Sequence, residues 1–211
     1  MKIILIGAEG KMGKAILDLA SPFEFTKIGS PKSLLPTDIT PFLENHDLVL
    51  DFSNRPSFLE NLKLCTKYKI PVVVGITGFS EEEIIEIKKA SSEIPIFLSS
   101  NFSLGISLLK KLLKMMPEGN YHIKETHHTQ KKDSPSGTAI DLAKLITPTP
   151  SITSIRLDEV IGIHEIKFTL ENESLELTHK AFDRSVFAAG ALKACSFLSN
   201  KPKGLYTSIY D

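Results

Sequence analysis

The sequence predicts an α/β protein with two domains, a parallel-sheet domain and a smaller α+β domain. In the first domain, short apolar runs alternate with helical patterns, and a glycine-rich turn joins the first run to the first helix. After Asn101 this alternation stops, and strands with one polar face follow. We assign residues 1–101 and 184–211 to the first domain and residues 102–183 to the second.

The composition is that of an ordinary globular protein, with 42% apolar residues among 211. Because 25 Lys and Arg balance 25 Asp and Glu, we expect neither nucleic acid nor an anionic membrane as a partner. No apolar run is long enough for a signal peptide or a membrane span. The two cysteines, Cys65 and Cys195, indicate reduced thiols rather than a disulfide framework, so we expect a cytoplasmic protein.

The elements of the first domain follow one another as strand and helix. An apolar strand at 2–6 leads through the glycine turn into a helix that contains Ala15, Ile16 and Leu19. Further strands are predicted at 25–28, 47–53, 71–77 and 95–99, and further helices at 56–68 and 80–92. Strands separated by helices form parallel sheets. An Ala-rich helix at 184–198 completes this domain.

The second domain is predicted to hold a mixed, largely antiparallel sheet. A helix at 105–116 precedes a strand that reaches His127, and a second helix is expected at 137–146, before a Pro-rich joint. Apolar residues then alternate with polar ones at Ile166, Phe168 and Leu170, and alternation resumes at 175–180 after a short turn. This pattern indicates a β-hairpin with one face in water.

The glycine turn indicates a Rossmann-type dinucleotide-binding domain. Gly7, Gly10 and Gly13 follow the first strand and open a helix, whose free N–H groups and positive end suit a pyrophosphate. Glu9 stands where the common fingerprint has its second glycine, so a tight turn without a ligand is the alternative.

Two later strand ends are expected to complete the coenzyme site. Gly75, Ile76 and Thr77 end one strand and Ser99, Ser100, Asn101 and Phe102 end another, although both segments also suit ordinary turns. The loop after the second strand lacks the usual acid for the ribose 2′-hydroxyl. Lys32 in that loop favours a 2′-phosphate, so we expect NADPH or NADH with a weak preference for NADPH; a solvated lysine is the alternative.

The stretch ETHHTQKKDSPSGTA, residues 125–139, suits proton transfer and carboxylate binding. His127 and Lys131 are candidate proton carriers, whereas neighbouring strand positions point His127 and His128 to opposite faces and disfavour a metal site. Ser134 or Ser136 is expected to cap the next helix, where the N–H groups of Gly137 and Thr138 bind a carboxylate. The alternative is a solvated basic loop before a capped helix.

This stretch resembles the signature of the 4-hydroxy-tetrahydrodipicolinate reductase (dihydrodipicolinate reductase) family. The matching positions are Glu125, His127, His128, Lys131, Asp133 and the run from Pro135 to Ala139. Further family motifs follow the whole chain in order: GAEGKMG at 7–13, DFS at 51–53, VVGITGF at 73–79, SNFSLG at 100–105 and LTHKAFDRSVFAAGA at 177–191.

The resemblance implies reduction of a cyclic dicarboxylate by NADPH or NADH in the diaminopimelate and lysine pathway. It implies His127 as catalytic acid/base and Lys131 as proton donor, with His128, Gly137, Thr138 and Thr77 at the substrate. It also implies a homotetramer joined through the antiparallel sheet. The coenzyme contacts that it implies in the glycine turn are Gly7, Ala8, Glu9, Gly10, Lys11 and Met12. The chain departs from the family at Ile76 and Ile163, and it is shorter between residues 29 and 47 and near the TPTPS joint.

Two other functions remain compatible with the same motifs. A non-enzymatic module that senses NAD(P) would bind coenzyme without turnover. A reductase of another amino-acid-derived imine would keep the chemistry but change the substrate, because a fold does not determine a reaction.

Overall fold

A computed structural model describes residues 1–19 and 22–210 of the chain. The strands are β1 (Lys2–Ile6), β2 (Glu24–Ile28), β3 (Leu48–Asp51), β4 (Val72–Val74), β5 (Pro95–Leu98), β6 (Asn120–His127), β7 (Ser151–Arg156), β8 (Gly162–Thr169), β9 (Ser174–Ala181) and β10 (Gly204–Tyr206). The helices are α1 (Lys11–Asp18), α2 (Arg55–Tyr68), α3 (Glu81–Ser91), α4 (Leu104–Met115), α5 (Gly137–Ala143) and α6 (Ser185–Leu198), with a 3₁₀ helix at Thr40–Asn45.

The described chain divides into two compact units. Unit 1 contains residues 1–102 and 187–209, and unit 2 contains residues 103–186 together with Tyr210. The ligand-binding roles expected of the two domains stay predictions. Within the described ranges, every helix is too short or too polar to cross a membrane.

Unit 1 is built on a six-stranded parallel sheet in the order β10-β5-β4-β3-β1-β2. The strand order reverses direction between β1 and β3, which is where open α/β sheets bind ligands beyond the carboxyl ends of their strands. The sheet confirms the predicted α/β class of this part of the chain.

Both faces of this sheet are covered, which explains the continuous apolar run of β1. Ile4 and Ile6 join one core cluster with residues of α2 and α3, whereas Ile3 and Leu5 join a second cluster with residues of α1 and α6. A strand buried on both faces needs apolar residues at every position rather than at alternate ones.

Unit 2 contains a four-stranded mixed sheet in the order β7-β6-β8-β9. β6 pairs parallel with β7 and antiparallel with β8, and β8 forms the expected antiparallel hairpin with β9. α4 and α5 contribute Ile106, Leu109, Leu142 and neighbouring residues to the core, against Ile123 and Ile166 of the sheet.

Several boundaries differ from the sequence predictions. α5 ends at Ala143 rather than at Ile146, because the following residues lead into the Pro-rich joint. β8 ends at Thr169, so Leu170 lies exposed in the turn, while Ile166 and Phe168 are buried as predicted. β7 and β10 were not predicted.

Candidate active site

The turn between β1 and α1 has a shape that depends on glycine. Gly7 has a φ of +80°, and a Cβ atom there would lie 2.7 Å from the carbonyl oxygen of Phe52. A Cβ atom on Gly13 would overlap the same turn. Gly10 is the N-cap of α1 and has no side chain to bond the first-turn N–H groups. The residues present therefore fit the pyrophosphate of a dinucleotide.

The segments after β4 and β5 lie at the same edge of the sheet as this turn, because all three strands are parallel. The side chains of Ile76, Ser99 and Phe102 are buried. Thr77 and Ser100 are exposed, and Asn101 is half-buried. Gly75 is required by packing, because a Cβ atom there would overlap the ring of Phe52.

The loop after β2 holds Lys32, whose side chain is exposed. The loop is closed on itself, since the Gly29 N–H donates to the Pro36 carbonyl at 2.9 Å and the Ser33 N–H donates to the Ser30 carbonyl at 2.8 Å. No ion pair or hydrogen bond to another described residue fixes the Lys32 ammonium group.

The signature stretch in unit 2 begins with a buried carboxylate. Glu125 on β6 is fully buried and pairs with Arg156 on β7 through two N–O contacts of 3.0 Å, one to each carboxylate oxygen. The Ser136 N–H donates to the same carboxylate at 3.2 Å. Arg156 also donates to the carbonyl of Asp133 at 2.6 Å, so it ties the loop after β6 to the sheet.

His127 lies two residues further along β6 and bonds to Glu125 through its Nδ1 atom. An ionised carboxylate only accepts hydrogen bonds, so Nδ1 carries the proton and Nε2 is left to exchange one with a ligand. Gly162 lies beside Nε2, and a Cβ atom on it would be 3.1 Å from that nitrogen. The missing side chain at Gly162 therefore leaves room at the reactive atom.

The charges of this cluster shift the pKa values of both groups. Burial by itself raises the pKa of Glu125, but hydrogen bonds from Arg156, Ser154 and His127 outweigh it and hold this pKa at about 2. Burial lowers the pKa of His127; the Glu125 carboxylate opposes this effect, while Lys131 and Arg156 add to it. Glu125 is therefore ionised at neutral pH.

Two further histidines continue the row across the sheet. Glu125 on β6, His164 on β8 and His179 on β9 occupy directly paired positions. Burial, followed by the charges of His127 and His179, lowers the pKa of His164 to about 3, and burial lowers the pKa of His179. The Nε2 atoms of His164 and His179 face the hydroxyls of Ser136 and Ser103 at 3.4 and 2.9 Å. Both rings are therefore neutral at physiological pH.

The loop after β6 brings Lys131 to this cluster. Its ammonium group pairs with Asp133 at 2.8 Å, and its positive charge acts on His127. Asp133 also accepts from the Gly137 N–H at 3.2 Å, so this N–H, expected to be free, is bonded within the chain. Ser136, rather than Ser134, caps α5 and accepts from the Ala139 N–H at 3.2 Å.

The structure thus brings together His127, Lys131, Gly137 and Thr138 in unit 2, with His128 half-buried just beyond the end of β6. Sequence reasoning missed the contribution of Arg156 and Gly162. A buried glutamate implies a cationic partner, but only strand pairing identifies Arg156 as that partner, 31 residues along the chain. Across the described ranges, no three or more His, Cys, Asp or Glu side chains are grouped to hold a metal ion.

Known proteins resemble the chain over nearly its whole length. Residues 1–102 match the family model "Dihydrodipicolinate reductase, N-terminus", and residues 102–209 match "Dihydrodipicolinate reductase, C-terminus". The 4-hydroxy-tetrahydrodipicolinate reductase of Clostridium botulinum is 38% identical, with 98% of this chain and 96% of the relative covered. The enzyme of the same name from Thermosipho africanus is 37% identical, with 98% and 95% covered.

A solved structure has the same fold. The dipicolinate-bound dihydrodipicolinate reductase of Paenisporosarcina sp. TG-14 aligns with a TM-score of 0.83 at 21% identity, covering 99% of this chain and 98% of that one. Both family models and the curated relatives agree with the resemblance found in the motifs. The chain belongs to the dihydrodipicolinate reductase family.

Proposed function

We propose that the protein reduces 4-hydroxy-tetrahydrodipicolinate to tetrahydrodipicolinate with a reduced nicotinamide coenzyme, in diaminopimelate and lysine biosynthesis. The substrate carries a hydroxyl group that the product lacks. The net reaction therefore adds one hydride and one proton and releases water. The observation that carries the proposal is the hydrogen-bonded chain Arg156–Glu125–His127, with its buried carboxylate, beside Lys131 in a protein related to enzymes of that name.

His127 and Lys131 are the catalytic residues in this proposal. Glu125 holds the Nδ1 proton of His127 and so directs Nε2 toward the substrate. Lys131 is only partly exposed, and its ammonium group is a proton donor close to the same imidazole. Burial lowers the pKa of His127 below its ordinary value, so the ring is mostly neutral at pH 7 and its Nε2 atom is available to accept a proton.

The substrate carboxylates are bound by His128 and by the N–H groups of Gly137 and Thr138, with Thr77 as a further contact. A substrate carboxylate replaces Asp133 at the Gly137 N–H, since the two are chemically equivalent acceptors. The related reductase of Paenisporosarcina supports a small dicarboxylate as the ligand, because that protein is described with dipicolinate bound.

The coenzyme is held by residues at the carboxyl edge of the sheet in unit 1. When bound, a reduced nicotinamide coenzyme supplies the hydride. The residues proposed to contact it are Gly7, Ala8, Glu9, Gly10, Lys11, Met12, Gly75, Ile76, Thr77, Ser99, Ser100, Asn101 and Phe102, with Lys32 near the adenosine.

The assembly and location follow as further parts of the proposal. One face of the sheet in unit 2 presents charged and polar side chains, including Lys124, Glu165, Lys167 and Glu176, that suit a wet interface between copies of a homotetramer. The cysteines of unit 1, Cys65 and Cys195, are free and buried, which is compatible with the reducing cytoplasm.

The test is a spectrophotometric assay with freshly prepared substrate and each reduced coenzyme in turn. We expect the coenzyme absorbance to fall only when substrate is present, and dipicolinate to compete with the substrate. Coenzyme binding without turnover would favour the non-enzymatic module. Turnover of another imine that dipicolinate does not inhibit would favour the reductase of a different substrate.

A further inference from the structure

Glu9 is the residue by which the glycine turn departs from the common dinucleotide fingerprint. Its carboxylate extends from the turn toward the end of β2, where a Cβ atom on Gly29 would lie 3.0 Å from Glu9 Oε2. The same Cβ atom would overlap Ser33 first, at 2.3 Å from its Oγ atom, so glycine at position 29 leaves room for both side chains. The Glu9 side chain is exposed, and no hydrogen bond or ion pair to another described residue occupies it.

The position of Glu9 relative to β2 is fixed by the backbone. The N–H groups of Gly7 and Ala8 both donate to the carbonyl of Ile28, the last residue of β2, at 3.1 and 3.3 Å. Because β1 and β2 also pair along their whole length, the turn and the end of β2 form one rigid support. The backbone of Glu9 is therefore held beside the end of β2, within side-chain reach of Gly29.

The end of β2 is where dinucleotide-binding folds place the acid that accepts the ribose 2′-hydroxyl of NADH. The loop that follows β2 here has no carboxylate before Asp38, and it is closed by the bond from the Gly29 N–H to the Pro36 carbonyl. Glu9 thus brings to this place, from the glycine turn, the carboxylate that the loop lacks.

We infer that Glu9 recognises the adenosine ribose and makes the protein prefer NADH to NADPH. The inference rests on the proposed function for the presence of a nicotinamide coenzyme. An exposed carboxylate accepts a hydrogen bond from a 2′-hydroxyl, whereas a 2′-phosphate would bring roughly two negative charges against it. Lys32 suggests the opposite preference, for NADPH. We favour Glu9 because its carboxylate lies near Gly29, whereas no contact directs the Lys32 ammonium group there.

The test is calorimetric binding of NADH and NADPH to the full-length protein, together with the fragments AMP and adenosine 2′,5′-bisphosphate. From one charge-assisted hydrogen bond we expect NADH to bind at least about tenfold more tightly than NADPH, and AMP to show the same advantage over its 2′-phosphorylated analogue. Glu9→Gln should bring each ratio to within about threefold by removing the charge, and Glu9→Lys should invert it.

Glu24→Gln is the matched control, because Glu24 is an exposed glutamate at the opposite end of β2. It should leave both ratios unchanged. If the unaltered protein binds NADPH as tightly as NADH, or if Glu9→Gln leaves the ratio unaltered, the inference is wrong while the proposed function stands. If neither coenzyme binds, both are overturned.

Discussion

The half-buried Arg156 and the fully buried Glu125 form a two-contact ion pair, with each terminal nitrogen of the guanidinium 3.0 Å from a different carboxylate oxygen. The pair joins β7 to β6, and the same guanidinium bonds the backbone of the loop that carries Lys131. It therefore connects the stability of the sheet to the geometry of the proposed proton carriers.

Replacing Arg156 by methionine should strongly destabilise the protein. The variant leaves the Glu125 carboxylate buried without its cation, which costs about 3–5 kcal/mol in buried pairs. Denaturant unfolding measures the change. Lys124→Met is the matched control, because Lys124 on the same strand as Glu125 pairs with Glu165 at 2.8 Å on the surface, where a loss of at most about 1 kcal/mol is expected. Equal losses in the two variants would contradict the importance of the buried pair.

The same pair predicts how stability depends on acid. The pKa of Glu125 is about 2 in the folded protein and near its ordinary value of 4.5 when unfolded. A lowered carboxyl pKa stabilises the fold above pH 4.5, and this contribution, roughly 3 kcal/mol, is lost as the pH falls through 2. Unfolding midpoints measured between pH 2 and 6 should show this decline in the natural protein and a much smaller one in Glu125→Gln.

Replacing His127 should abolish turnover without affecting the coenzyme. We expect His127→Gln and Lys131→Met each to lower kcat by about 10²- to 10⁴-fold, because each removes a proton carrier. The coenzyme affinity measured by calorimetry should stay within twofold, or about 0.4 kcal/mol, because neither residue is proposed to contact the coenzyme. His122→Gln is the control, since His122 lies on the same strand and bonds Ser151 away from Glu125. Loss of coenzyme binding in the His127 variant would instead indicate general damage to the fold.

Removing the charge of Glu125 should also shift the pH profile of catalysis. The Glu125 carboxylate raises the pKa of His127 against the lowering effect of burial. In Glu125→Gln the imidazole should therefore lose its proton at a lower pH, and the limb of the kcat/KM profile that reports His127 should move toward acid. Glu165→Gln, at a half-buried position of the neighbouring strand where the side chain pairs with Lys124, should leave that limb in place.

The sequence was sufficient for the parts of the fold that depend on local patterns. The apolar run of β1, the glycines of the turn and the alternation at Ile166 and Phe168 each report burial directly. β10 was missed because three residues are too few to form a pattern, and β7 was missed because its side chains are only partly buried. The pairing of β7 with β6 also joins distant parts of the chain, which a local sequence pattern does not report.

The candidate site was predictable in its titratable residues but not in their partners. The signature stretch identified His127 and Lys131, whose roles stay predictions. Arg156 ends β7, and its relation to Glu125 exists only once the two strands pair. The bond from the Gly137 N–H to Asp133 was also unexpected, because a loop conformation rather than a residue type determines it.

A buried carboxyl group in unit 1 should lower stability at neutral pH, whereas the Glu125 carboxylate should raise it. Asp51 at the end of β3 is fully buried; Ser53 bonds its Oδ1 atom, and its Oδ2 atom is buried without a hydrogen-bond partner in the described ranges. Burial outweighs the bonds from Ser53 and a weaker effect of the Asn61 amide, and it raises the pKa of Asp51 above its ordinary value of 3.8. Folding therefore favours the neutral acid, and stability is lost as the pH rises from 3.8 through the raised pKa.

Replacing Asp51 by asparagine should therefore stabilise the fold at neutral pH. Asparagine keeps the oxygen that Ser53 bonds and carries no charge at any pH, so the variant should melt above the natural protein at pH 7 and together with it near pH 3.5. Asp18→Asn, at an exposed residue of α1, should change stability by no more than about 0.5 kcal/mol at either pH. If the natural protein is more stable than Asp51→Asn at pH 7, the prediction is wrong. That result would mean that the fold stabilises the ionised Asp51 carboxylate.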